Sequence, residues 1–258
     1  MEFAGTMESV GQAVTRFAAG DQVFGGTLLN FGTHAEYVCL GESGLFARKP
    51  VNMTLEESAA FFFGGMTVLS FLKKAKIQAG EKVLVYGASG SVGVFAVQLA
   101  KHFGAHVTAV CSTANLSLVR SLGADELVDY TKEDFSRAGS VYDMIFDTVG
   151  KSGFWRSLRC LKRGGTYILV AFLGREWFIT NVLGALFCGM WASLTGAAKV
   201  VSMPQPGKLR DLLFLKELIE AGKLRTVIEQ RYPLAQIVEA HRHAEAGHKK
   251  GHVLIICE

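Results

Sequence analysis

The chain has no C-x-x-C pair and no long run of like charge. Its five cysteines, Cys39, Cys111, Cys160, Cys188 and Cys257, stand singly along the sequence. That argues against a disulfide framework and for reduced thiols in a reducing compartment, with Cys39, Cys111 and Cys257 expected inside buried apolar strands. Lys and Arg number 27 against 23 Asp and Glu, a net charge of +4. So mild and dispersed a balance gives no footprint for nucleic acid and leaves only a slight attraction for small anions. The opening MEFAGTMESVGQ has neither a basic n-region nor a long apolar core, so no secretory signal is expected and a cytoplasmic location follows. Half of the residues are hydrophobic, which excludes a disordered chain and allows a real core.

The informative stretch is VLVYGASGSVGVFAVQLAK, from Val83 to Lys101. A β-branched apolar run ends in Gly87, Gly90 and Gly93, and a helix-periodic segment follows at once. Strand, glycine turn and helix in that order make a seat for a diphosphate. Gly87 allows the tight turn, Gly90 lets the backbone approach the phosphates, and Gly93 lets the helix pack closely on the strand. The N–H groups of Ser91, Val92 and Gly93 are expected to face the ligand at the positive end of the helix dipole. Ser89 is placed to donate to a phosphate or to shape the loop; GASGS lacks the final glycine of a nucleophile elbow.

Strands and helices alternate after this turn. Strands are expected at His106–Cys111, Glu126–Tyr130, Tyr142–Asp147, Thr166–Phe172 and Lys199–Met203. Helices are expected at Asn115–Leu122 and Ser152–Leu161, the latter ending at Arg163-Gly164-Gly165. The pattern gives an α/β fold with a doubly wound parallel sheet, order 3-2-1-4-5-6. The expected dinucleotide domain is 73–204. Residues 1–72, with 205–258 returning to them, read as a second, β-rich domain with strands at Gln22–Phe24 and His34–Leu40. There Thr54 and Glu57 form a capping box, a helix covers Thr67–Lys76, and amphipathic helices cover Leu209–Ala221 and a segment from Leu234 to Gly247. A final strand, His252–Cys257, is apolar enough to be buried. From Trp177 to Ala198 no residue is charged. As a helix that stretch spans about 33 Å, enough for a bilayer, but it is better read as a buried crossover or subunit interface.

The second strand ends Cys111-Ser112-Thr113-Ala114-Asn115, and no acid appears before Asp125. An acid there binds the ribose 2′-OH of NAD and repels a 2′-phosphate, so its absence favours NADPH over NADH. Ser112, Thr113 and Asn115 offer hydrogen bonds, and Tyr130 closes the next strand within reach of the adenosine end. Lys250 adds a positive charge if the C-terminal region folds back. Each of these also reads as an ordinary turn residue. Val149 and Gly150, with Phe172 and Leu173, follow strands at the expected switch point and belong near the nicotinamide half. Asp147 either shapes that site or caps the next helix.

Together these pieces carry a resemblance. EFAG from Glu2, ESVGQAVTRFAAGDQVFG, HAEYV, ARKP, GGMTVLSFL, the glycine turn, SLGADELVDY, IFDTVG, LKRGGTYILV and HKKGHVLI run from Glu2 to Ile256. The chain resembles the zinc-independent quinone oxidoreductase branch of the medium-chain dehydrogenases/reductases. The resemblance implies a GroES-like β domain, partial here, around the coenzyme domain, with substrate held between them. It implies NAD(P)H-dependent reduction of quinones or enones, and homodimers joined through the last strands of the sheets. It also implies coenzyme contacts at Thr67, Ser89, Gly90, Val92, Gly93, Ser112, Tyr130 and Phe172. Family members normally begin some tens of residues earlier, so a shortened β domain is expected. Where zinc-dependent members place a Cys this chain has Phe63, and Met1 stands where their His stands, so no zinc is expected. His241, His243, His248 and His252 look like a metal cluster, but on a helix His241 and His243 point apart, so metal binding is not expected. Asn30 and Tyr37 are candidate proton donors, each also readable as a plain loop or strand residue; water serves otherwise. The expectation is NADPH-dependent hydride transfer to a quinone or an α,β-unsaturated carbonyl compound. The alternatives are a coenzyme-binding protein without catalysis, and a reductase that touches membranes through residues 177–198.

Overall fold

The structure, a computed structural model, describes residues 1–27, 31–170, 184, 187, 189–192, 194–247 and 249–257. It divides into two compact units, Met1–Thr67 with Pro206–Glu258, and Val68–Gln205.

The second unit is built on six strands: β4 (Lys82–Tyr86), β5 (His106–Cys111), β6 (Glu126–Asp129), β7 (Tyr142–Asp147), β8 (Leu161–Leu169) and β9 (Ala198–Val201). They lie in the order β6-β5-β4-β7-β8-β9, with every neighbouring pair parallel. This is the doubly wound order expected from the alternation. The central strands are apolar on both faces because helices cover both. Leu84, Val110, Ile145 and Tyr167 form one continuous core with Phe135 and Tyr142. Helix α3 (Gly93–His102) is buried from Gly93 to Ala100, so the helix entering from the glycine turn is itself a core element. Helix α4 (Leu116–Ser121) follows a 3-10 turn, Thr113–Asn115, and α5 (Phe154–Leu158) fills the β7–β8 crossover.

In the first unit β1 (Glu2–Thr6), β2 (Gln22–Gly26) and β3 (Leu45–Arg48) form an antiparallel sheet. Phe17 stacks on Phe46 at 4.9 Å beneath it, beside Val23. Helix α1 (Leu55–Ala59) starts on the expected capping box: Glu57 N–H donates to the Thr54 hydroxyl, and Thr54 N–H to the Glu57 carboxylate. Helix α2 (Phe62–Ala75) begins in this unit and continues into the second. The C-terminal segment adds α6 (Leu209–Glu220), β10 (Ile228–Pro233), α7 (Ile237–Glu245) and β11 (His252–Ile256). Leu212, Leu215, Leu218 and Ile219 form the buried stripe of α6, as its periodicity requires.

Several elements differ from expectation. His34–Leu40 forms no strand, and Tyr37 is 71% exposed. Strand β8 starts at Leu161, through the Arg163-Gly164-Gly165 expected to be a turn. Gly164 takes φ +76° and the register with β7 shifts there, so the glycines make an irregularity within a strand rather than its boundary. Helix α5 is correspondingly shorter than Ser152–Leu161. Strand β11 pairs in parallel with β10 alone, which leaves Val253, Ile255 and Ile256 half-buried rather than enclosed. Cys111 is buried as expected, but Cys39 and Cys257 are exposed, because neither lies in a covered strand.

Candidate functional site

Strand β4 hands the chain into the glycine turn at the carboxyl end of the sheet. Gly87 takes φ +78°, and its N–H and that of Ala88 both reach the Val110 carbonyl of the neighbouring strand. Gly90 N–H closes on the Gly87 carbonyl at 3.1 Å. A Cβ on Gly93 would lie 2.1 Å from the Gly87 carbonyl oxygen, so α3 sits directly on the turn and only glycine fits. A Cβ on Gly90 would meet only that oxygen, at 3.5 Å, so the turn is open there. Among the described residues, no hydrogen bond uses the N–H of Ser91, Val92 or Gly93. Val92 precedes α3 without a side-chain cap. Amides left unused at the start of a helix, where its dipole is positive, are the kind of group that suits an anion.

The flank of this site is a polar network. Asn115, buried, donates from Nδ2 to the Ser89 hydroxyl at 3.0 Å and to the Ser112 hydroxyl at 3.3 Å. It thereby ties the glycine turn to the end of β5, while its Oδ1 is buried without a partner among the described residues. Thr113 donates its hydroxyl to Asp129 at the end of β6. Thr131 donates its own N–H and hydroxyl to the same carboxylate, at 3.0 and 2.6 Å. These bonds hold the Asp129 carboxyl down at about 2. Lys132 lies 3.7 Å away. An acid therefore does stand close to Thr113, supplied by the adjacent strand; sequence distance hid it, since the usual signal looks only along β5. Tyr130, next to it, is 48% exposed.

On the other side of β4, the end of β7 carries Asp147-Thr148-Val149-Gly150. Thr148 donates its hydroxyl to the carbonyls of Tyr86 and Gly87 at 2.9 and 3.2 Å, fixing this loop against the glycine turn. Asp147 does not cap α5, whose N-cap is Gly153; it accepts from the amides of the loop itself. The structure thus brings Ser89, Gly90, Ser91, Val92, Gly93, Ser112, Thr113, Tyr130, Val149 and Gly150 to the carboxyl ends of four adjacent strands, β6, β5, β4 and β7. Phe172, Leu173 and Asn30 lie outside the described residues, as do His248 and half of 177–198. Thr67 lies on α2, half-buried, at the end of the first unit's opening segment. Lys250 belongs to the first unit, where its N–H donates to Glu229 at 3.0 Å.

The first unit holds a group the sequence did not single out. The Glu2 carboxylate accepts from Phe63 N–H at 2.8 Å, and burial pushes its carboxyl up to about 7, against the pull of that bond and of the charges at Met1 N and Lys249.

The sequence profile of a family described as zinc-binding dehydrogenase matches residues 122–255. The mitochondrial NAD(P)H oxidoreductase RTN4IP1 of Mus musculus is 32% identical over 98% of this chain and 69% of its own length. The 2-methylene-furan-3-one reductase of Solanum lycopersicum is 33% identical over 98% of this chain, which spans 62% of that relative. Among solved structures, the quinone oxidoreductase of Coxiella burnetii superposes with a TM-score of 0.86 at 27% identity, covering 98% of this chain and 77% of that one. Phe63 offers no ligand atom, and among the described residues no group of three or more His, Cys, Asp or Glu is placed to hold a metal.

Proposed function

Because the chain belongs to the medium-chain dehydrogenase/reductase family of NAD(P)H-dependent oxidoreductases, we propose that it reduces quinones or α,β-unsaturated carbonyl compounds with NADPH and without zinc. The observation that carries this reading is the row of three amides, Ser91 to Gly93, that no hydrogen bond among the described residues uses, over an open floor at Gly90. The nicotinamide coenzyme supplies the hydride, so the chain's own task is binding, orientation and electrostatics. The amides of the turn grip the diphosphate, and the Asn115 clamp holds Ser89 and Ser112 for the phosphate and ribose groups beside it.

Preference for NADPH rests on the state of Asp129. Its carboxylate is saturated by Thr113 and Thr131 and faces Lys132, so it is a poor free acceptor for a ribose 2′-OH. The substrate classes are supported by the related quinone oxidoreductase and by the relative named for an exocyclic methylene conjugated to a ketone. Protonation of the product oxygen is assigned to water. A homodimer and a cytoplasmic location belong to the same proposal.

The test is direct. NADPH oxidation is followed at the nicotinamide absorbance band with a panel of quinones and enones, and with NADH in parallel. Turnover of either substrate class with NADPH supports the reading. Tight NADPH binding without turnover of any of them gives way to a coenzyme-binding protein that does not catalyse.

A second reading is favoured by Phe187, Met190 and Leu194, exposed by 61%, 61% and 82% within an uncharged stretch. Their exposure supports a reductase that meets lipid-soluble quinones at a membrane surface. Failure to co-sediment with liposomes would remove it.

A further inference from the structure

Asp147 is fully buried, and its carboxyl is the centre of a closed network. Oδ1 accepts from the N–H groups of Val149 and Gly150 at 3.0 and 2.7 Å. Oδ2 accepts from Ser152 N–H at 3.1 Å, the Ser152 hydroxyl at 2.5 Å and the Tyr167 hydroxyl at 3.0 Å. Ser152 in turn meets the Ser157 hydroxyl at 2.9 Å. Such saturation of a buried carboxyl is more than a loop needs to satisfy its own backbone. It dictates which way the peptide planes face.

A trans peptide is planar, with N–H and the preceding C=O pointing in opposite directions. Drawing in the N–H of Val149 therefore turns the Thr148 carbonyl outward, and drawing in that of Gly150 turns out the Val149 carbonyl. Among the described residues no hydrogen bond uses either oxygen. The loop cannot rotate to undo this. Thr148 is bonded to Tyr86 and Gly87, and the space a Cβ on Gly87 would need is taken by Val149 Cγ2 at 2.4 Å and Thr148 Oγ1 at 2.6 Å. Two adjacent strand ends thus present opposite polarity. The turn after β4 offers three N–H donors, which suit phosphate oxygens. The loop after β7 offers carbonyl acceptors, which suit hydroxyl or carboxamide donors.

We propose that Asp147 is a positioning residue for the coenzyme: by turning the Thr148 and Val149 carbonyls outward, it prepares the acceptors for the donor-bearing nicotinamide riboside half. This rests on the coenzyme reading given above and adds to it which half of the ligand Asp147 governs.

The test compares a whole coenzyme with its adenosine fragment. Affinities are measured by calorimetry for NADPH or NADH, whichever the unaltered protein binds more tightly. The matching fragment is adenosine 2′,5′-bisphosphate or ADP. Asp147→Asn keeps the shape but offers a donor where Ser152 N–H needs an acceptor; Asp147→Ala removes every bond. Both are expected to weaken the coenzyme about tenfold or more, because outward acceptors lose their fixed direction. The fragment's affinity should stay within about twofold of the unaltered protein's. Equal weakening of coenzyme and fragment overturns the proposal, since it marks a general structural loss; so does unchanged coenzyme affinity in Asp147→Asn, which reads the proposal even if Asp147→Ala does not fold. If the unaltered protein binds neither coenzyme, the coenzyme reading itself fails, a result distinct from both.

Discussion

Gly90 and Gly93 stand three residues apart in the same turn, yet the structure assigns them different failures. A methyl on Gly93 would sit 2.1 Å from the Gly87 carbonyl oxygen and 2.7 and 2.8 Å from Ala88 backbone atoms. Ordinary carbon contacts need about 3.5 Å, so α3 must back away from the turn by about 1 Å. That helix is buried from Gly93 to Ala100 and cannot move without disturbing the sheet beneath it. Overpacking of this kind costs about 3 kcal/mol, at the upper end of the usual range. For a unit the size of Val68–Gln205 that lowers Tm by roughly 9 °C. Gly93→Ala should therefore lose thermal stability first and coenzyme affinity as a consequence. A methyl on Gly90 meets only one atom, at an ordinary 3.5 Å. Gly90→Ala should melt within about 2 °C of the unaltered protein, yet bind NADPH about tenfold more weakly, because the methyl occupies the floor over which the diphosphate lies. Gly90→Leu should abolish binding. The assays are differential scanning fluorimetry without ligand and calorimetric titration with NADPH. Unaltered affinity in Gly90→Leu would show that no phosphate lies on this turn. An unaltered melt in Gly93→Ala would show that the close approach of α3 is not rigid.

Three further outcomes follow from the same geometry. Ser112→Asp places a second carboxylate beside the Asp129 cage and should shift the kcat/KM ratio from NADPH toward NADH; an unchanged ratio would undermine the 2′-phosphate argument. Asn115→Ala releases Ser89 from Ser112 and also removes a buried acceptor that has no partner among the described residues, so the stability cost should be only about 1 kcal/mol while coenzyme affinity falls, read by urea melts and titration on one preparation. Glu2 has its carboxyl raised from 4.5 to about 7, so the folded state holds a proton that the unfolded chain has released. Its contribution is complete below pH 4.5 and is lost as pH rises through about 7. Glu2→Gln, which keeps an acceptor for Phe63 N–H, should remove that slope and leave the first unit up to about 3 kcal/mol more stable than the unaltered protein at pH 8, by urea unfolding at several pH values. Parallel pH profiles for the two proteins would refute it.

The coenzyme-binding sheet was legible because its signals are local. Each strand is a short apolar run, each crossover a helical period, and the glycine turn fixes the first strand and helix together. Tyr142–Asp147 matches the expected strand end to end. Errors arose where residues obeyed a distant partner. Arg163-Gly164-Gly165 has the composition of a stop, but pairing with β7 and β9 carries the strand through it. Ile228–Pro233 is polar and ends in proline, so nothing marked it as a strand; only the parallel partner β11 makes it one. In the site, the glycines, Ser89, Ser112, Thr113 and Asn115 announce themselves by motif and spacing. Asp129 does not, and Asp147 announces its place at the strand end but not its partners. Their roles depend on hydroxyls and amides gathered by tertiary folding, which no periodicity records.

The discontinuity of the first unit has a consequence for synthesis. Met1–Thr67 emerges before Val68–Gln205 but is completed by Pro206–Glu258, which emerges after it. Its own segments are stitched across that interval: Asn52 to the Ile219 carbonyl at 2.8 Å, and Arg231 to Glu56 at 2.5 Å. On the ribosome the guest, Val68–Gln205, therefore has every residue it needs while its host is still unfinished. Strands β1 to β3 must wait, apolar faces uncovered, until Pro206–Glu258 has been made. A chaperone should meet this chain at Met1–Thr67, and a stop codon within Pro206–Glu258 should be felt there too.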